Sequence, residues 1–200
     1  MKGYVPWFAT DTSLAFSNAI NGFVLPVLVL LVTNSPTGAG IISAISLATA
    51  GILAIFGGWI QDFYNKRTIV LCSSFAGFLI FLSGALLLIT GFFNLITAAI
   101  LAFALGIRTG LAGSVTNMML RSFIPANLLP KAISVNQARD SVVQLGGEPL
   151  GGFLLELGKP IPYLTNCILN AAGFISALML PSNTFAPAAD GKNTVKKSVL

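Results

Sequence analysis

Six long apolar runs decide what kind of fold is open to this chain. A transmembrane helix needs about 20 mostly apolar residues. The runs at 7–32, 38–60, 68–90, 95–120, 138–157 and 161–180 each reach that length. The links between them are short, and Gly and Pro punctuate several, as at 34–38 and 158–162. The expectation is an all-α membrane protein, with a six-transmembrane-helix bundle over residues 1–181 and a polar tail or linker over 182–200. The link at 121–137 is longer, contains Pro125 and Pro130, and reads as a short cytoplasmic segment between spans 4 and 5.

Composition bears on function by exclusion. Only 8% of the residues are charged, against about 25% in soluble domains. The net charge of +5 does not point to nucleic acid, because the bases lie between the apolar runs, as membrane topology requires. No histidine is present, which argues against a His-ligated zinc site and an intramembrane Ser–His protease. Cys72 and Cys167 lie inside apolar runs and read as small buried hydrophobes, not as a disulfide or metal pair. No nucleophile–base pair, metal cluster or phosphate loop is evident, so neither an enzyme nor a cofactor is expected. The first run is too long for a leader and reads as a retained span.

The bases also set orientation. If the spans alternate, Lys2, Lys66, Arg67, Arg121, Lys131, Arg139, Lys192, Lys196 and Lys197 all fall on one side and Lys159 alone on the other. Short links rich in Lys and Arg stay inside. A multi-pass protein of the cell (cytoplasmic) membrane with both termini cytoplasmic is expected.

The stretch from Gly58 to Arg67 packs an acid and two bases into the turn between spans 2 and 3. It resembles the signature loop between helices 2 and 3 of major facilitator superfamily transporters, G-x-L-A-D-R-x-G-R-K. Gly58, Asp62, Lys66 and Arg67 fall on its glycine, aspartate and terminal bases. Ile60 is a mild change, and Phe63 and Asn65 depart from Arg and Gly. Asn65 tolerates the left-handed backbone that a Gly would supply there. The resemblance extends from Trp7 to Pro181. It is nearest in look to drug and macrolide efflux members, which share an Arg-x-x-x-Pro link like that of Arg121 and Pro125. It implies one six-helix half of a transporter fold and a cytoplasmic gate at Gly58, Asp62, Lys66 and Arg67 that docks on the other half. Asp62 is otherwise a solvated loop acid.

Two charges lie at mid-bilayer depth. Arg108 in span 4 matches the family's helix 4 arginine, with Gly110 and Gly113 at an altered spacing. Burying it costs about 2.5–3.5 kcal/mol on insertion scales, so it should face protein or water. Glu148 lies in a run of glycines that resembles the Gly-Pro-x-x-Gly-Gly motif of helix 5 in family antiporters. Gly147, Gly151 and Gly152 match it, while Glu148 takes the proline's place and Pro149 is displaced by one. Asp140, Gln144 and Glu148 are spaced four apart and form a polar stripe on a helix. A desolvated carboxyl favours its neutral form, which suits proton pickup; equally, Glu148 pairs with Arg108. Asp11 reads as an N-cap or, with Asn18 and Asn21, as part of a polar face lining a substrate path.

Small residues recur at helix-packing spacing: Gly106 and Gly110, Gly147 and Gly151 with Gly146 and Gly152 beside them, and Ser73 and Gly77. One six-span half cannot enclose an alternating-access cavity. The expected partners are therefore the lipid bilayer, a small-molecule substrate, protons, and a second six-helix half or a second copy. The expected function is secondary active transport, by resemblance proton-coupled multidrug efflux by an antiporter. The alternative is a truncated or non-transporting membrane subunit.

Overall fold

The computed structural model describes residues 4–124 and 127–180. Lys2, Pro125, the tail from Pro181 to Leu200 and its three lysines lie outside the described residues. Those described form helices and turns, in the order α1 (Tyr4–Thr33), α2 (Pro36–Phe63), α3 (Lys66–Ile89), α4 (Leu95–Ala112), α5 (Val115–Phe123), α6 (Leu129–Leu157) and α7 (Ile161–Leu178).

The sequence marks most helix ends. Asn34 takes a left-handed φ of 51° at the end of α1. Ser35 then caps α2, its Oγ accepting from the Gly38 amide at 3.0 Å. Asn65 caps α3 by accepting from the Arg67 amide at 3.0 Å. Its φ is −62°, so it serves as a cap and does not use the left-handed backbone that a Gly would supply. Asn94 and Thr97 close a reciprocal capping box at α4.

Three boundaries differ from the sequence reading. The run at 95–120 is two helices, broken at Gly113 and Ser114. The link at 121–137 is largely helix: α6 starts at Leu129 with Pro130 in its first turn, where a missing amide costs nothing. Asp11 is no N-cap, because α1 begins at Tyr4 and Asp11 lies well inside it.

Four of the helices, α1, α2, α3 and α7, and the segment Leu95–Arg121 are long and apolar enough to cross a membrane. α6 is not apolar enough, since it carries Lys131, Arg139, Asp140, Glu148 and Glu156. It is nonetheless 29 residues long, about 44 Å at 1.5 Å per residue, and packs along α1. It completes the six-helix bundle.

Glycine sets the closest approaches. A Cβ on Gly106 would stand 2.7 Å from the Thr49 Cβ, and one on Gly110 2.7 Å from the Ala50 carbonyl, so α4 lies against α2 backbone to backbone. Gly147 and Gly151 bring α6 onto α1 at Ala19, Ile20 and Val24. Gly152 only touches Phe23, and Gly58 and Gly146 face open space.

The core has two apolar parts. One gathers Ile20, Val24, Leu28, Phe81, Leu101 and Tyr163. The other gathers Trp7, Val70, Val115, Met119 and Ala177. On α1, α3, α4 and α7 alike, the buried residues between these two clusters, glycines apart, are polar, Ser17, Ser74, Arg108 and Asn170 among them. The bundle is two greasy layers with a polar layer between them.

Candidate functional site: a buried arginine layer

Arg108 is the centre of that polar layer and is 8% exposed. Its guanidinium donates from Nε to the Ser73 carbonyl at 3.0 Å, from Nη2 to Asn170 Oδ1 at 3.0 Å and from Nη1 to Asn18 Oδ1 at 3.4 Å. Every one of these acceptors is neutral. Asn170 in turn donates to Ser17 Oγ and to the Asn166 carbonyl, each at 2.8 Å. Room for the cluster comes from Gly77, where a Cβ would stand 2.8 Å from Arg108 Nε and closer still to Asn170 Oδ1. A buried charge is tolerable only when hydrogen-bonded, and α1, α3 and α7 each supply one acceptor.

The expected pairing of Arg108 with Glu148 does not occur. Glu148 lies on an exposed flank of α6, where it lines a shallow recess with Ser141, Gln144 and Leu145. The stripe of Asp140, Gln144 and Glu148 also divides. Four residues turn a helix by about 400°, so the stripe winds away from α1 as it ascends. Asp140, though its side chain is 43% exposed, lines the central cavity, whereas Gln144 and Glu148 lie on the outer flank.

Asp140 and Asp11 converge on Arg139. The Arg139 Nη2 bonds both Asp11 Oδ2 and, at 2.6 Å, Asp140 Oδ1. Arg139 also donates to Thr12 Oγ1 at 3.3 Å and lies 5.2 Å over the Phe8 ring. This cluster ties the start of α1 to α6. Between it and Arg108 lies a cavity of about 150 Å³ whose lining includes Asp11, Asn18, Thr109, Asn117 and Asp140. Asn21 is one turn further along α1, and its Oδ1 has no hydrogen-bond partner among the described residues.

Asp62, in the last turn of α2, is exposed. Arg67 is committed elsewhere: its Nη2 donates to the Leu178 carbonyl at 2.6 Å and its Nε to that of Ala177 at 3.4 Å, capping the end of α7. Lys66 opens α3.

Several residues of the layer carry no charge and escape a sequence reading that weighs charges. Asn166 and Asn170 are four apart in an otherwise apolar span, and that spacing is the signal that finds them. Asn166, Ser74 and Tyr163 all have buried polar atoms without partners among the described residues. Gln61, fully buried, donates to the Leu111 carbonyl at 2.8 Å and accepts from Ser114 Oγ at 2.9 Å, securing the break between α4 and α5.

An all-α bundle with five helical segments fit to span a bilayer defines a multi-pass membrane protein. The sequence matches the Major Facilitator Superfamily over residues 10–199, and the chain belongs to that family. The bundle fits one half of that fold, and the members of the family are transporters, not enzymes. No curated protein matches the chain.

Proposed function

We propose that this bundle is one half of a proton-coupled secondary transporter that exports small amphipathic compounds from the cell. The observation that carries the reading is the Arg108 layer: a cation held between two apolar cores, beside a cavity that also holds Asp11, Asn18 and Asp140. Keeping such a charge in a membrane is costly, and functional pathways are where it is retained. α1 and α4 line the path, with Asn21 further along it. The Gly58–Arg67 turn is the cytoplasmic gate, with Asp62 the group free to engage another half and Arg67 holding the turn to α7.

Gln144 and Glu148 support the requirement for a second half. They lie on an uncovered flank of α6, and a carboxylate turned to lipid costs a few kcal/mol. A second half or a second copy of this chain covers that flank, and Glu148 is the proton-sensitive group there. Orientation follows from the bases: Lys66, Arg67, Arg121, Lys131 and Arg139 share one end of the bundle, and Lys159 is at the other. We place the first end, and both termini, in the cytoplasm of a cell-membrane protein.

Purification from native membranes, followed by flux measurement in liposomes with an imposed pH gradient, tests the proposal. Proton-linked efflux that falls in Glu148→Gln supports it. A preparation that retains its partner half and carries no proton-linked flux defeats it, and would make the bundle a non-transporting subunit.

A further inference from the structure

α2 packs on α4, and α3 packs mainly on α7. That division leaves a groove between α2 and α3, floored by α4, of about 790 Å³. Its walls are mostly apolar and include Trp59, Tyr64, Cys72, Ala76 and Ala104. Trp59, Tyr64 and Cys72 are exposed on the flank of the bundle, so the groove opens sideways, toward lipid. One charged residue lines it, Arg108, and no acid does. Ser73, Arg108 and Ala112 line both this groove and the 150 Å³ central cavity, and so form the wall between them.

We infer that the groove is a lateral binding site for amphipathic organic anions, whose apolar body lies between α2 and α3 and whose carboxylate or similar head meets Arg108. This names the substrate class for the transport reading above and rests on it. The chemistry follows from what Arg108 lacks. Its three hydrogen bonds all go to neutral oxygens, a guanidinium has five N–H donors, and both nearby acids are held by Arg139. An anionic head arriving from the groove supplies the first full counter-charge in direct contact. A cation approaching the same way meets only Arg108 and is repelled, and a neutral amphiphile gains at most a hydrogen bond and brings no counter-charge. Passage from groove to cavity then requires only the wall of Ser73, Arg108 and Ala112 to part.

Cys72 reports on the groove directly, being exposed at its rim, while Cys167 is buried. The Cys167→Ala protein in nanodiscs of zwitterionic lipid is labelled with a maleimide in the presence of dodecanoate, dodecanol or dodecyltrimethylammonium. At ten times its half-effect concentration, dodecanoate should slow labelling of Cys72 about tenfold; at the same concentration dodecanol should slow it less, and the ammonium should leave it unchanged. Arg108→Gln should abolish the slowing, as should Ala76→Phe, which fills the groove and keeps Arg108. Equal slowing by dodecanol, greater slowing by the ammonium, or slowing by dodecanoate that survives Arg108→Gln would overturn the inference. If Arg108→Gln does not fold, the comparison of the three head groups in the parent decides. Because the readout is binding, absent proton-linked flux with anion-selective protection intact would count against the transport reading alone.

Discussion

At the residue scale, Arg108 is held by geometry as much as by charge. Its planar fork reaches acceptors on α1, α3 and α7 at once, which a lysine's point charge cannot reproduce. Arg108→Lys is therefore expected to lose transport almost as completely as Arg108→Gln, in a liposome flux assay. Gly77→Ala drives a methyl into Arg108 and Asn170, and its overpacking should cost about 1–3 kcal/mol, read as a lowered Tm in detergent, together with lost flux. The Arg139 cluster is partly buried, its Asp11 and Arg139 side chains being 10% and 13% exposed. Asp11→Asn should cost about 2 kcal/mol, between the values for exposed and buried pairs. A double-mutant cycle with Arg139→Gln measures the coupling, and a coupling near zero would show the pair to be incidental. Charge made Arg108 and Glu148 legible in the sequence, because either one interrupts an apolar run. Their partners were not legible. A carbonyl at Ser73 has no sequence signature, Asn170 shows only its spacing from Asn166 and nothing of its partner, and the separation of Glu148 from Arg108 follows from how α6 is rotated against α1.

At the element scale, the glycines of α4 and α6 do the joining. Gly110→Val adds three carbons, the first of which would stand 2.7 Å from the Ala50 carbonyl and 2.8 Å from the Leu53 Cβ, and should lower stability by about 1–3 kcal/mol, measured by thermal unfolding in detergent. Gly40→Ala, on a part of α2 where a Cβ meets nothing within 4 Å, should leave Tm unchanged or raise it slightly, since Ala is the better helix former. An equal effect of the two would mean that the contact between α2 and α4 does not hold the bundle. The apolar runs announced α1, α2, α3 and α7 to within a few residues. They concealed the break at Gly113 and Ser114, because the run continues through it and what secures the break, Gln61, is distant in sequence. They also concealed the first turns of α6, whose Lys131, Asn136 and Arg139 look like a solvated link. Asn136 instead donates to Asn117 Oδ1 at 3.2 Å and is buried against α5.

At the scale of the whole molecule, the arrangement is asymmetric. α2 buries only Gly38, Ile42, Gly57 and Gln61, and α6 turns Gln144 and Glu148 outward, whereas α1 and α4 bury polar groups in the interior. On the proposed reading, the acid on the uncovered flank of α6 is what a second half covers, and the cation between the two apolar cores is what a substrate approaches. Membership of the Major Facilitator Superfamily gives both features a common purpose in transport. The measurement that bears most directly on that claim is proton flux in liposomes holding the protein as isolated from its membrane, with an internal pH dye and an imposed gradient. The account predicts substrate-dependent proton movement that disappears in Arg108→Gln, with Gly40→Ala behaving as the parent. Proton movement unaffected by loss of Arg108 would contradict it.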